Sequence, residues 1–188
     1  YLISRKYQDA LTYYSQAAEI AKTEKDYALY QKGIILGLTN DNAGKIEVLS
    51  QVAVTNPKSV YVDDSKIEIA NTYFNDEKYK EAEGAYADVI TNYPKSPFYK
   101  KARVQMALVY VNTDQDEKAL EAYKDLVKDF PNSPEATESL LGIRNLYIDK
   151  GDANGFLGYL KTQPGLSLSA SNEDSLLYEA AENNFNTQ

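Results

Sequence analysis

The sequence predicts an all-α protein in which antiparallel helical hairpins stack one after another. The first observation is a repeat, because the segments that begin at Ile67 and Val104 align at an offset of 104 − 67 = 37 residues. The second is that small residues align with small residues and aromatic with aromatic across this offset. The third is that each copy ends in a proline, at Pro94 and Pro131. A repeat of this length is typical of an α-solenoid, in which each hairpin buries its apolar face against its neighbours.

Composition argues against several classes of function. The chain has 188 residues, and its 20 basic and 28 acidic residues give a net charge of −8. This charge opposes the counterion release that dominates nucleic-acid affinity, so we expect no nucleic-acid partner. The sequence contains no Cys, which excludes thiol nucleophiles and zinc-thiolate sites, and no His, which removes the commonest general base and metal ligand. We therefore expect no enzyme, no cofactor and no metal site. We also expect no membrane span, because no run approaches about 18 apolar residues.

The repeat divides the chain into six segments of one array, which we expect to be a fragment of a longer chain. They are residues 1–25 (partial), 26–59, 60–96, 97–133, 134–165 (divergent) and 166–188 (the start of a further repeat). The first segment is assigned because the sequence from Lys6 matches the sequence from Lys78. The fifth is divergent because Arg144 and Phe156 stand where the strong copies have alanine.

Small residues at equivalent positions predict where helix axes approach closely. Gly33, Ala70 and Ala107 follow one another at the repeat spacing in the first helix of each hairpin. In the second helix, Lys45 takes the position of Ala82. The sequence therefore predicts that the hairpin of residues 26–59 is looser, or that the lysine side chain extends to solvent. Tyrosines at repeat positions are predicted to be core: Tyr73, Tyr86, Tyr110, Tyr123 and Tyr147.

Two linkers carry helix-start signals. Ser96-Pro97 and Ser133-Pro134 each place a capping hydroxyl before a proline, which is favoured at the first helical position. The sequence therefore predicts helices that begin at Pro97 and at Pro134.

The two strong copies share an ordered signature of small, aromatic and proline residues. It consists of Ala70, Tyr73, Tyr79, Ala82, Tyr86 and Pro94 in one copy, and of Ala107, Tyr110, Ala119, Tyr123 and Pro131 in the next. Asp116 departs from it, standing where the first copy has tyrosine at the start of the second helix. Over residues 26–131 the chain resembles the tetratricopeptide repeat family. The resemblance implies a right-handed superhelix whose first helices line a concave groove that binds peptides or partner proteins.

The linkers narrow this resemblance. The spacing and the sequences Tyr-Pro-Lys-Ser-Pro from Tyr93 and Phe-Pro-Asn-Ser-Pro from Phe130 resemble the bacterial cell-envelope branch of the family. That branch includes the Tol-associated periplasmic repeat protein and the outer-membrane β-barrel assembly lipoprotein. The narrower resemblance implies a periplasmic or envelope-associated protein, with a cytoplasmic location as the alternative.

A helical wheel selects the residues that would face the groove. They lie about a third of a turn from the packing stripe of each first helix. The selected residues are Tyr30, Ile34, Ile67, Asn71, Phe74, Val104, Leu108, Val111, Leu141, Asn145 and Ile148. Such an apolar strip with two asparagines would suit an extended or helical peptide. The alternative is that these side chains pack between neighbouring repeats.

Three functions follow from this organisation. The first is a non-catalytic scaffold in a bacterial envelope complex that binds a protein or peptide in the groove. The second is an accessory, substrate-presenting domain of a larger enzyme or assembly machine. The third is self-association through an uncovered last helix, which the sequence predicts to run through Leu177 and Phe185 after a capping signal at Ser171 and Asp174.

Overall fold

The computed structural model describes residues 2–21, 23–163 and 177–178. Over these residues the chain forms nine α-helices and no β-strand, which confirms the all-α class. The helices are α1 (Leu2–Ile20), α2 (Lys25–Leu38), α3 (Asn42–Thr55), α4 (Val62–Asn75), α5 (Tyr79–Asn92), α6 (Tyr99–Asn112), α7 (Asp116–Asp129), α8 (Pro134–Asp149) and α9 (Ala153–Lys161). None of these helices combines the length and apolar character that crossing a bilayer requires.

The chain divides into two compact units, Tyr1–Val109 and Tyr110–Gln188. In the first unit α1 packs on α2, α2 on α3, α3 on α4 and α4 on α5. In the second unit α7 packs on α8, and α8 packs on α9. Short turns join the helices of each pair, so that packed neighbours are antiparallel hairpins. The division into six repeat segments stays a prediction.

The turn inside each hairpin contains one residue with a left-handed backbone. These residues are Asn40 (φ 62°), Glu77 (φ 58°), Asp114 (φ 55°) and Gly151 (φ 66°). After Glu77, the Lys78 amide donates to the Tyr73 carbonyl at 2.9 Å. Equivalent bonds join Asp41 to Leu36, Gln115 to Tyr110 and Asp152 to Tyr147. This Schellman closure ends every first helix at the same repeat position.

Glu77→Gly should raise the free energy of unfolding by about 0.5–1 kcal/mol, because glycine adopts a positive φ without steric cost. Gly151→Ala should lower it by about 1 kcal/mol for the same reason. Urea denaturation measures both changes. Glu121→Gly, at an exposed site within α7, is the control and should destabilise by about 1 kcal/mol. Equal losses in Glu77→Gly and Glu121→Gly would contradict the left-handed turn.

Only one of the two predicted helix starts has the expected form. Ser133 caps α8 by accepting from a backbone amide three residues on at 3.1 Å, and Pro134 is the first helical residue, as predicted. The prediction for Pro97 was wrong, because α6 begins at Tyr99. Here the Ser96 hydroxyl accepts from the amide two residues on, at 3.1 Å. It closes a local turn instead of capping a helix, so the helix starts later.

The small residues of the repeat occupy the most enclosed positions of the hairpins. Ala70, Ala82, Ala107 and Ala119 are all fully buried. The packing is also tight at Gly33, where an added Cβ would lie 2.5 Å from Leu49 Cδ2. These sites confirm that small side chains let the helices approach.

Lys45 does not loosen its hairpin, and it does not extend to solvent. Its side chain is only 13% exposed, and its Nζ pairs with Glu68 on α4 at 2.6 Å. The aliphatic part of the lysine side chain passes close to Gly37, where an added Cβ would lie 2.8 Å from Lys45 Cδ. The prediction for this residue was therefore wrong, because the glycine makes room for a lysine that joins α3 to the next hairpin.

The divergent fifth copy packs its large residues in two ways. Phe156 is buried in α9, with its ring centroid 6.3 Å from that of Tyr147. Arg144 is half-buried.

Beyond α9, Leu177 and Tyr178 have helical backbone and are exposed. The remainder of the predicted last helix lies outside the described residues.

Candidate functional site

The first helices of two consecutive hairpins, α2 and α4, form a surface that we call the α2–α4 seam. On α2 the seam comprises Tyr27, Tyr30, Ile34, Gly37 and Leu38. On the other side it comprises Tyr61, which precedes α4, and Asp64, Glu68, Thr72 and Asn75. Spacings of three and four residues place each set on one helix face. All of these residues belong to the first compact unit.

One end of the seam is an open, polar cleft of about 370 Å³. Ile34 and Leu38 line it from α2, and Leu38 is 57% exposed. The ion pair between Lys45 and Glu68 lies in its wall. The cleft therefore offers an apolar edge beside a neutralised polar wall.

A hydrogen bond across the hairpins fixes the rim of this cleft. Asn42, at the start of α3, donates from Nδ2 to Asp76 Oδ1 at 2.6 Å. This bond, together with Lys78 at 3.1 Å, holds the pKa of the Asp76 carboxyl below its usual range. The rim is thus tied to the end of α4 by polar contacts.

At the other end of the seam, Tyr27, Tyr30 and Tyr61 continue into two tyrosines of α1, and we call this row of five rings the tyrosine ladder. Successive ring centroids lie 5.3 Å apart for Tyr13 and Tyr14, 6.1 Å for Tyr14 and Tyr27, and 5.5 Å for Tyr27 and Tyr61. Tyr30 stacks on Tyr61 at 5.1 Å with an interplanar angle of 19°. Tyr13 is 67% exposed and Tyr27 is 37% exposed, whereas the other three rings pack partly against the core. The ladder is therefore anchored on one side and open on the other.

Carboxylates lie beside the ladder. Burial, reinforced by the charges of Asp63 and Glu68, raises the pKa of Asp64. Burial and the charges of Asp64 and Glu68 likewise raise the pKa of Tyr30. Lys45 neutralises Glu68, but within the described residues Asp64 has no ion pair. This end of the seam thus carries uncompensated negative charge.

The eleven residues predicted to face a groove have different environments. Three are buried, at 2% exposure for Ile67, 1% for Val104 and 4% for Ile148. The half-buried ones are Tyr30, Ile34, Asn71, Phe74, Leu108 and Val111, and the exposed ones are Leu141 and Asn145. The structure places Tyr30 and Ile34 together in the α2–α4 seam. Assignment of the whole set to a binding groove stays a prediction.

Both asparagines of this set have partners within the chain. Asn71 Oδ1 accepts from the Tyr86 hydroxyl at 2.8 Å, and Asn145 Oδ1 lies 3.4 Å from the donating Arg144 guanidinium.

The residues of the seam that sequence reasoning missed are Tyr27, Tyr61, Asp64 and Glu68. Tyr27 was detectable, because it lies three residues before Tyr30 on the same face.

The second unit has a separate cleft, of about 650 Å³, beside α7 and α9. Lys124 Nζ lies 5.2 Å from the Tyr147 ring centroid and 5.1 Å from that of Tyr159, and it donates to the Tyr147 hydroxyl at 3.0 Å. This lysine is therefore held by two rings of its own chain. Over the described residues, no group of three or more acidic side chains is placed to hold a metal ion.

Comparison with known proteins identifies part of the chain by sequence. Residues 66–96 and 101–133 match the family model for the tetratricopeptide repeat. No curated protein sequence matches the chain. The cell-envelope branch is untested by these findings and stays a prediction.

Solved structures match the fold at low sequence identity. The MamA structure is 17% identical, with a TM-score of 0.62 over 98% of this chain and 92% of that one. MamA from Desulfovibrio magneticus RS-1 is 18% identical, with a TM-score of 0.61 over 98% and 89%. A chain from Podosopora anserina with nearly identical TPR-like repeats, assigned as a kinesin light chain, is 17% identical, with a TM-score of 0.61 over 100% and 92%. Residues 66–96 and 101–133 thus match the tetratricopeptide repeat by sequence, and the chain has a tetratricopeptide-like helical-repeat fold.

Proposed function

We propose that this chain is a non-catalytic scaffold that binds a segment of a partner protein along the α2–α4 seam. Tetratricopeptide repeats generally mediate protein–protein interaction. The observation that supports the seam as the binding surface is that partly exposed tyrosine rings and a polar cleft occur on it together. The rings provide apolar contact area, and the cleft provides hydrogen-bonding groups.

The dimensions of the seam suit a short peptide. From Tyr27 to Leu38 the helix rises about 17 Å, at about 1.5 Å per residue. An extended peptide covers this distance with about five residues. Side chains of such a peptide would meet rings at one end and the Leu38 edge at the other.

We also propose that the scaffold belongs to a bacterial envelope complex, in the periplasm or at the envelope. The linkers that begin at Tyr93 and Phe130 support this location through their resemblance to the envelope branch. Release of the protein by osmotic shock, together with a periplasmic marker, is the expected result. Co-fractionation with a cytoplasmic marker would contradict it.

Site-specific photocrosslinking in the native host tests the binding surface. A benzoylphenylalanine at Leu38, which is 57% exposed in the seam, should crosslink to a partner protein. The matched control is Val54, which is 84% exposed on α3 and lies outside the seam. A crosslink at Leu38 alone is expected. Absence of any crosslink at Leu38, or the same products at both sites, would contradict the proposal.

A further inference from the structure

We propose that the tyrosine ladder and Asp64 bind arginine side chains of a basic peptide segment. The inference rests on the proposed function and specifies the chemistry of the partner. It identifies one end of the α2–α4 seam as a cation-binding surface.

The geometry of the ladder provides ring faces and edges for cations. Its five rings form a continuous series of contacts between 5.1 and 6.1 Å from α1 to the start of α4. Tyr14, Tyr30 and Tyr61 pack against the core, so the ladder is held in place before any ligand binds. Preorganised rings lose little conformational freedom on binding, which favours affinity.

Among the residues that the structure describes, no lysine or arginine occupies the ladder. Within the described residues, lysine and arginine lie over other rings, such as Arg103 over Tyr99 and Lys118 over Tyr110, and none over the five tyrosines. The exposed rings of Tyr13 and Tyr27 are therefore open to a cation from another molecule.

Charge at the same place selects a basic ligand over a neutral one. Asp64 lies in the first turn of α4, three residues after Tyr61, with Asp63 and Glu68 as acidic neighbours. The positive end of a helix dipole should lower the pKa of an acid in its first turn. The pKa of Asp64 is instead raised, because burial and these two negative neighbours outweigh the dipole. A bound cation would supply the missing counter-charge.

Arginine fits this arrangement better than lysine does. Its planar guanidinium stacks on an aromatic ring and also donates two parallel hydrogen bonds to a carboxylate. A peptide with arginines a few residues apart would place one guanidinium on the ladder and another at Asp64. An uncharged proline-rich peptide, which also binds aromatic grooves, would use the rings but not the carboxylate.

The test uses the full chain and three labelled nonapeptides in fluorescence anisotropy. One peptide has three arginines separated by glycine and serine, the second replaces each arginine with glutamine, and the third is proline-rich and uncharged. The arginine peptide should bind at least tenfold more tightly than either of the others. Its affinity should fall as salt rises from about 50 to 300 mM, because screening weakens exposed charge pairs.

Two pairs of variants assign the effect to the ladder and the carboxylate. Asp64→Asn should weaken binding of the arginine peptide about fivefold, whereas Glu47→Gln, an equal charge change at an exposed site on α3, should change it less than twofold. Tyr27→Leu should weaken binding about threefold to tenfold through loss of a ring, and Tyr27→Phe should retain it. Far-ultraviolet circular dichroism confirms that each variant is folded.

Several results would overturn the inference. These are equal binding of the arginine and glutamine peptides, preferential binding of the proline-rich peptide, no binding of any of them, or equal effects of Asp64→Asn and Glu47→Gln. If a partner still crosslinks at Leu38 in such a case, the scaffold function stands and only the basic character of its ligand is wrong. If that crosslink also fails, both proposals are wrong.

Discussion

Gly33→Ala should lower the free energy of unfolding by about 1–3 kcal/mol, although alanine is the better helix former. The added Cβ would lie 2.5 Å from Leu49 Cδ2 and 2.6 Å from its Cγ. Leu49 is only 1% exposed, so its side chain cannot relieve the clash by moving out into solvent, and closely packed interiors offer few voids to take it up. The gain in helix propensity, about 1 kcal/mol, is smaller than the cost of forcing α2 and α3 apart. Urea denaturation followed by circular dichroism measures the change.

Gly84→Ala is the matched control for this substitution. Gly84 lies within α5, and a Cβ at this position would meet no atom within 4 Å. The substitution should therefore stabilise the protein by about 0.5–1 kcal/mol. Leu49→Val in the Gly33→Ala background should cost less than Leu49→Val alone, because it relieves the clash. If both glycine variants were equally stabilised, the close approach of α2 and α3 would be refuted.

The hairpins could be predicted because the same positions must pack closely in each copy of the repeat. A small residue at Gly33, Ala70 or Ala107 marks the place where two helices meet closely, whatever the identity of the exposed residues. Helix type and core positions follow from such a stripe. The turns repeat equally well, from Asn40 to Gly151, and three of the four left-handed residues in these hairpin turns are Asn, Asp or Gly, the types that tolerate a positive φ. That signal was present in the sequence at the same spacing.

The candidate site was harder to predict, because contacts between hairpins determine it. Lys45 occupies a helix-packing position because Gly37 leaves space for its side chain and Glu68 pairs with its ammonium group. Tyr61 precedes its helix, so no helical periodicity assigns it to a face. The environment of Asp64 depends on residues that are near it in space, and the sequence around Asp64 does not identify them. Periodicity therefore finds a buried stripe, whereas a surface that combines two helices requires coordinates.

The protein should lose stability above pH 10, because two buried tyrosines must keep their protons in the folded state. Burial, with a contribution from the charge of Glu138, raises the pKa of Tyr123 to about 12. Burial also raises the pKa of Tyr86. The unfolded chain titrates near pH 10. This stabilisation is fully present below pH 10 and is lost as pH rises through the folded pKa. Tyr123 alone should account for a loss of up to about 2.7 kcal/mol, at about 1.4 kcal/mol per unit.

Phenylalanine variants separate this effect from general alkaline denaturation. Urea titrations at pH 8, 9, 10 and 11 should show a shallower decline for Tyr123→Phe than for the parent, whereas Tyr13→Phe, at a 67% exposed site, should follow the parent. Tyr86→Phe should make the decline of the free energy of unfolding with pH shallower and should also change its value at pH 8. Its hydroxyl donates to Asn71, so the variant should be about 1 kcal/mol less stable at pH 8. Above the unfolded-state pKa the deficit should shrink and then reverse, because only the parent must hold a proton that the unfolded chain releases. Parallel curves for Tyr86→Phe and the parent would show that this ring is solvated.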